Sequence, residues 1–446
     1  MTLATPLVRP PQVPIGIAPE PTVGLPLLVS WVLLTAYVAT IATVQSPDAN
    51  TNQHLLRTLE IERALNATIN PCTDLYGHSC GNFGRYNAQS TWGRLQAIAR
   101  HELQLMPEYT ACSARGPGHF DRPPINVTCA AQDRVSCHMD LLAQGFAVND
   151  VNARVAAING TYIMLYWIND DDLIAARTLT PNHAERSEAV KSHLADNLTD
   201  VQYSPYMPDA CGPAVETFRL ASIATRHPTP DGVAALADSL MDEIKHWRTP
   251  PLLRVGGGPG IAADVDFDKD NVAMWEEQRL RELALVGTAA PTDRWGVPAT
   301  TVNAFYSSDD DSVTIPAMML REPFYHPSYS ESLKRGGLGF VLAHELGHAV
   351  DHALNDSGLR HAIGHRMAEM STATYDTVFR TESEDVADHY ARTVLDNSGP
   401  IDRMLVLQAA QMWCLTSSNW SDVHAPGRWR VNASLSTPGT WSAPFC

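Results

Sequence analysis

Between Pro21 and Pro47 the chain carries no charged residue, and before that stretch it has neither a cysteine nor an Asn-x-Ser/Thr triplet. Basic residues are scarce throughout: 32 Lys and Arg stand against 49 Asp and Glu, a formal charge of −17. That surplus of negative charge repels phosphate backbones, so nucleic acid is excluded as a general partner, and it disfavours broad docking on anionic lipid. No cysteine pair has the C-x-x-C spacing of a structural zinc site, and no internal repeat is present. At 446 residues, 44% hydrophobic and 18% charged, the chain is globular in composition and too long for one ordinary core. Two lobes or domains are therefore expected.

The centre of the uncharged stretch, Leu25 to Val44, reads LPLLVSWVLLTAYVATIATV. About twenty helical residues span roughly 30 Å, the thickness of a bilayer's hydrocarbon core, whereas secretory signal cores run only about 7–15 residues. Residues 25–44 thus read as a transmembrane signal-anchor behind a short cytoplasmic tail at 1–24. Cleavage near Ala42, which would release a secreted chain, is the alternative. The remainder of the chain has an extracellular character. Seven sequons, at Asn66, Asn126, Asn159, Asn197, Asn355, Asn419 and Asn432, all lie after the apolar segment. So do all eight cysteines: Cys72, Cys80, Cys112, Cys129, Cys137, Cys211, Cys414 and Cys446. An even count on the lumenal side suggests four disulfides, although spacing alone does not choose the pairing. The expectation is a single-pass type II plasma-membrane glycoprotein.

Helical periodicity marks residues 51–68, 91–107 and 134–157, with one or two more helices between Val215 and Trp247. Residues 250–260, PPLLRVGGGPG, read as a turn or linker, and Val313–Ile315 as a short strand. The clearest local signal runs from Leu338 to Leu354. Gly336 and Gly337 precede it, and Phe340, Val341, Ala343, Leu346, Gly347, Val350 and Leu354 keep helical spacing. A second helix covers about Glu382 to Leu395.

Inside the first of these helices sits His344-Glu345-Leu346-Gly347-His348. Histidines at i and i+4 lie one turn apart on one face, so both imidazoles reach a single ion, and neutral imidazole suits zinc. Glu345, about 100° round the helix from His344, faces a water on the metal without ligating it and can accept the proton that zinc makes acidic. Glu384, on the second helix, is available as the third ligand. Asp388 shares a face with Glu384, and Asp351 with His348. Both are suitably placed to take the second N–H of a ligating histidine and fix its ring. The bland reading makes those two aspartates solvated helix charges.

Several ordered segments then resemble the neprilysin and endothelin-converting-enzyme family of membrane zinc metallopeptidases. Pro71-Cys72-Thr73-Asp74-Leu75-Tyr76 with Ser79-Cys80-Gly81-Asn82-Phe83 is similar to the family's opening motif. Thr301-Val302-Asn303-Ala304-Phe305-Tyr306 resembles its substrate-strand motif, and Ile315-Pro316-Ala317 through Pro323-Phe324-Tyr325 the next segment. Gly336-Gly337-Leu338-Gly339 leads into the H-E-x-x-H helix, Glu384-Asp385-Val386-Ala387-Asp388 matches E-x-x-A-D, and Asp422-Val423-His424-Ala425-Pro426 through Arg430-Val431-Asn432 resembles the C-terminal motif. Residues 51–90 and 290–446 carry most of the likeness.

The resemblance implies a mainly α (α+β) fold: a two-lobed gluzincin-type zinc peptidase with a small sheet edge beside the active-site helix. Residues 45–260 would form the N-terminal part with an abbreviated second lobe, and 261–446 the catalytic lobe. It implies one zinc per chain on His344, His348 and Glu384, with Glu345, His424 and Asp388 as the catalytic group and His424 stabilising the oxyanion. Oligopeptides would be cut on the amino side of large apolar residues. Asn303 and the Ala304 carbonyl would hold the substrate as an added strand, Arg430 would bind a substrate carbonyl, and Met319, Phe324, Phe340, Val341 and Trp413 would line the apolar pocket. It further suggests the disulfides Cys72–Cys446, Cys80–Cys414, Cys112–Cys211 and Cys129–Cys137. The chain departs from the family in being several hundred residues shorter. It also has Thr91 where neprilysin places an arginine for a free substrate carboxylate. The rival expectation is a catalytically weak or inactive peptide-binding (decoy) ectodomain that retains the zinc site.

Overall fold

The structure, a computed structural model, describes residues 49–114, 229–257, 281, 284–289, 295, 297–371, 375–416, 424–435 and 439–446, together with the backbone of five strands between 125 and 205. The chain divides into a stretch Met1–Asn52 and a body Gln53–Cys446, and the elements named here belong to the body apart from the first four residues of α1. The expected anchor at 25–44 lies outside the described residues. Among the described residues no helix is long and apolar enough to cross a membrane.

Helices dominate, with two small sheets. Helix α1 runs Ala49–Ala64, α2 Leu75–Cys80, α3 Thr91–Gln104 and α4 Val233–Glu243. Helix α5 is Phe340–Leu354, α6 Ser357–Ser371, α7 Tyr375–Asn397 and α8 Arg403–Gln411. The expected helix at 338–354 is thus α5, entered through a π-helical turn at Arg335–Gly339. That turn is glycine-rich for a steric reason: a Cβ on Gly336 would meet Leu405 O at 2.3 Å, and one on Gly337 would meet Phe324 O at 2.2 Å.

Two expectations are corrected. Residues 134–145 of the helix expected at 134–157 lie outside the described residues, and its second half is instead strand, β2 at Phe146–Val148 and β3 at Val151–Ile158. They belong to an antiparallel five-stranded sheet in the order β1-β5-β2-β3-β4, with β1 Ile125–Val127, β4 Thr161–Ile168 and β5 Val201–Pro205. The stretch read as a linker contains strand β6, Leu252–Gly256, which pairs in parallel with β8, Ser312–Pro316. Strand β7, Phe305–Ser307, pairs antiparallel with the other side of β8 and so forms an edge of this three-stranded sheet. The body therefore continues across residue 260, since β6 lies in the same sheet as β7 and β8.

The core is organised around α5 and α7. Nearly every α5 residue from Phe340 to Asp351 is buried, polar and apolar alike. The two helices cross at Gly347, where an added Cβ would stand 2.5 Å from the Ala387 carbonyl oxygen. Only a glycine lets the backbones approach that closely, and this approach sets the distance between the polar residues flanking it. Arg335, buried beside the C-terminus of α7, donates to Leu395 O (2.6 Å) and Pro400 O (2.7 Å) and so satisfies carbonyls that the helix end leaves open.

The N-terminal helices are fastened to this core. Gln411 Nε2 donates to both Ile61 O (2.9 Å) and Ser79 O (3.0 Å), and Arg57 Nε donates to Gln408 Oε1 (2.8 Å). Disulfides Cys72–Cys446 and Cys80–Cys414 form as expected, across sequence separations of 374 and 334 residues. Closing such a long loop removes about 6 kcal/mol of unfolded-chain entropy for either bridge taken alone in the simple loop model. Cys112 is buried and disulfide-bonded, while Cys129, Cys137 and Cys211 lie outside the described residues. Asn432, one of the seven sequons, is buried, its amide accepting from Tyr76 N and donating to Asp74 Oδ1, both at 2.9 Å. Asn355, by contrast, is exposed and ends α5 in the left-handed conformation, at φ 47°.

Candidate metal centre and cleft

The i, i+4 spacing on α5 brings the His344 and His348 rings within 4.7 Å of each other, centroid to centroid. The Gly347–Ala387 contact then delivers Glu384 of α7 to the same point. Its Oε2 lies 3.1 Å from His344 Nε2 and its Oε1 3.5 Å from His348 Nε2. The three ligand atoms all fall within 4.8 Å of one another, as two imidazoles and one carboxylate. That donor set suits zinc, and three protein ligands leave room for one more group on a tetrahedral ion. His424 reaches the same carboxylate, with Nε2 3.1 Å from Glu384 Oε2.

Electrostatics agree with a cation-binding socket. Burial opposes charge on Glu384, yet the imidazoles of His344, His348 and His424 outweigh it and hold the carboxyl far below the ordinary carboxylate range. Burial likewise works against a charged His344, but Asp388 and Glu384 outweigh it and lift the ring to about 10. A proton held this tightly among carboxylates marks a position that favours positive charge.

Both aspartates expected behind the histidines are buried. His344 Nδ1 donates to Asp388 Oδ1 at 2.9 Å. Arg430 grips the same carboxylate with Nε to Oδ2 and Nη2 to Oδ1, each 2.7 Å, the two-pronged geometry that planar guanidinium allows. Burial would raise the Asp388 carboxyl, but Arg430 and then His344 outweigh it and hold it at about 2. Asp351 meets Arg360, whose Nη2 donates to Oδ2 at 2.5 Å. Burial raises the Asp351 carboxyl, and Arg360 and then His348 pull it back.

The metal group opens on a cleft of about 650 Å³. Glu345, Asn303, Ala304, Phe340, Val341 and Trp413 line it, as do Arg430 and His424. Asn303 is exposed at the mouth, and β7 directly follows Ala304, so the sheet edge runs along the cleft. Met319 and Phe324 depart from expectation: both are buried in the core, and neither is among the cleft-lining residues. Phe324 instead backs Trp92, ring centroids 4.6 Å apart, and Trp92 itself lines the cleft 6.0 Å from Trp413. Sequence reasoning missed Trp92 as a wall; its place beside Thr91 in the departing segment was the only signal. Thr91 is buried and donates to Gln411 O at 3.1 Å, so it offers the cleft no charge. Arg360, also missed, lines the cleft as well.

A sequence model of Peptidase family M13 matches residues 303–399. The human Kell blood group glycoprotein is 27% identical over 188 residues, which cover 35% of this chain and 26% of that protein. The neutral endopeptidase of Lactococcus lactis subsp. lactis is 32% identical over 172 residues, covering 31% of this chain and 27% of that one. These matches span about a quarter of the relatives' own lengths. Among solved structures, the Mycobacterium tuberculosis zinc metalloprotease Zmp1 with its inhibitor superposes with a TM-score of 0.55 at 14% identity, covering 86% of this chain and 96% of that one. At that identity the likeness is one of fold.

Proposed function

We propose that the chain, which is similar to Peptidase family M13 over residues 303–399 and to neprilysin over about a third of its length, is a zinc-dependent endopeptidase acting on oligopeptides. The observation that carries the proposal is the convergence of His344, His348 and Glu384 beside Glu345 and His424 at one cleft edged by a free strand. One zinc, held by those three side chains, would supply a Lewis acid that polarises the scissile carbonyl and acidifies water. Glu345 accepts the water's proton and returns it to the leaving amine. His424 donates to the oxygen that gains charge in the transition state, where a preorganised donor is most effective. Asn303 and the Ala304 carbonyl hold the peptide in line with β7. Asp388 fixes the His344 ring, and Arg430, which also lines the cleft, fixes Asp388 and would meet a substrate carbonyl. The walls Trp92, Phe340, Val341 and Trp413 favour a large apolar residue just after the cut.

Residues 1–24 as tail, 25–44 as signal-anchor and the remainder outside the cell complete the reading. Exposed Asn355 then qualifies as a glycan acceptor, whereas buried Asn432 does not. Glycosidase treatment of intact cells should shift the protein's mass.

The test is cleavage of a mixed peptide pool by the purified protein, with metal analysis alongside. About one zinc per chain is expected, with cuts before large apolar residues and loss of both on chelation. Full zinc occupancy with peptide binding but no cleavage would sink the enzyme and leave a peptide-binding ectodomain.

A further inference from the structure

Three helices meet at the Arg360 guanidinium. Helix α5 ends at Leu354 and α6 begins at Ser357, so two residues join the helices. Asn355 supplies the left-handed turn, and Asp356 Oδ1 accepts from Gly358 N (2.9 Å) and Leu359 N (3.0 Å), capping α6. This turn sets Arg360 against Asp351, nine residues earlier on α5. Nη2 donates to Asp351 Oδ2 at 2.5 Å, while Nη1 stands 3.8 Å from Glu382 Oε2 on α7.

Those two carboxylates are not arbitrary. Asp351 comes three residues after the ligand His348 on the same helical face, and Glu382 precedes the ligand Glu384 by two. One guanidinium thus bridges the two helices that supply the metal group. An ordinary exposed ion pair contributes little because water competes for both partners. Here the Asp351 side chain is only 5% exposed, and Arg360 is its charged hydrogen-bond donor. Removing that donor leaves a buried carboxyl free to rotate or to lose its charge, and the α5 turn that carries His348 then loses its tie to α7.

We propose that Arg360 is a positioning residue for the metal group: it fixes Asp351, three residues beyond His348 on α5, and ties that aspartate to the Glu384 turn of α7. The inference rests on the zinc reading of the site. Arg360 touches neither metal nor reacting atoms, so its effect passes through His348 and Glu384. Metal affinity, rather than fold stability, is then the property it governs. Lysine is an incomplete substitute, since a point charge on a flexible stem can hold Asp351 but cannot also span to Glu382 in a planar fork.

The experiment uses the full chain and zinc itself as the probe. Zinc dissociation constants are measured by competition with a chromogenic chelator for the parent, Arg360→Ala, Arg360→Lys, Asp351→Asn and the Asp351→Asn/Arg360→Ala double variant. Melting temperatures are read on the zinc-free proteins. Arg360→Ala should weaken zinc binding by about 10- to 100-fold, the usual consequence of losing an outer partner of a metal ligand. The lysine variant should recover part of that loss. The double variant should bind no more weakly than the worse single one, because both changes break one pathway. Zinc-free melting should be nearly common to all five. Should Arg360→Ala fail to fold, Arg360→Gln and Arg360→Lys carry the same comparison. Unchanged zinc affinity in a folded Arg360 variant overturns the proposal, as do losses that multiply in the double variant. A fall in zinc-free melting with affinity intact also overturns it, by assigning Arg360 a purely structural role. A parent that takes up no zinc overturns the metal reading itself, a failure distinct from the others.

Discussion

His344 and His348 sit one helical turn apart, yet the pairs behind them stand in different surroundings. Behind His344, the side chains of Asp388 and Arg430 are 1% and 2% exposed, joined by two hydrogen bonds, with the guanidinium carbon 3.9 Å from the Trp413 ring centroid. Behind His348, Arg360 is 25% exposed and reaches Asp351 through one hydrogen bond, with Glu382 farther off. The same chemistry, a carboxylate steadied by an arginine, is built once in a dry core and once at the water's edge. In the core, desolvation makes the pair indispensable to itself: either partner alone would be a stranded charge. At the edge, water reaches Arg360 though not the buried Asp351, so the pair is screened more than the core pair and costs less to lose.

The largest effect should come from a residue that belongs to neither pair. Glu345→Gln leaves both arms and all three ligands in place, so zinc content and melting should match the parent. Turnover should fall by roughly 10²–10⁴, the cost of losing a general base. Zinc loss in this variant would show that the metal group depends on more than the two arms. Next is Arg430→Ala, which strands the Asp388 carboxylate. Urea unfolding of the zinc-free protein should show a loss of about 3–5 kcal/mol. A loss below about 1 kcal/mol, the level of an exposed pair, would erase the contrast between the arms.

Gly347→Ala sits between the arms and should affect both. A Cβ there meets Ala387 O at 2.5 Å, so α5 and α7 must part. Overpacking of this kind costs about 1–3 kcal/mol. Because the separation moves Glu384 away from both histidines, zinc affinity should fall with stability. Metal affinity untouched by a measurable destabilisation would place the control of ligand geometry elsewhere.

How much of the molecule is legible in its sequence depends on the range over which each signal acts. The two histidines of the candidate metal centre announce themselves because i, i+4 spacing is local, and α5 is legible to within two residues at its start for the same reason. Glu384 and Asp388 are reached through their own helical spacing and the resemblance. The hairpin at 151–168 is missed although its signal is present: Val151–Ile158 and the β-rich Thr161–Ile168 are joined by Asn159-Gly160, the pair most favoured in two-residue hairpin loops. An apparent helical periodicity masks that turn. Strand β6 is hidden differently. Its partner β8 lies some sixty residues on, and parallel pairing leaves no local mark. Met319 and Phe324 are apolar residues near the cleft in sequence, and nothing local separates a wall from the layer behind it. Arg360 is invisible because its meaning depends on which carboxylates the two-residue turn brings to it.

The smallest predicted effect is the most discriminating between the arms, and it uses salt. Charges within a Debye length of solvent are screened as ionic strength rises, whereas a pair sealed from water is screened far less. Raising sodium chloride from about 0.05 to 0.5 M shortens that length from roughly 14 to 4 Å. At the edge, screening weakens the pull of Arg360 on Asp351, so the gap in zinc affinity between parent and Arg360→Ala should narrow by about two- to threefold. In the core, Arg430 is 2% exposed and its charge is met within hydrogen-bond distance, so the gap between parent and a folded Arg430→Lys variant should hold steady across the same range. Both comparisons are differences between proteins in one buffer, so any general effect of salt on zinc or on the chelator cancels. Equal narrowing in the two pairs would mean that water reaches both, and the distinction between a dry arm and a wet one would have to be given up. Narrowing in the Arg360 pair alone would assign the edge arm to electrostatics that solvent can tune, leaving the core arm as a fixed support.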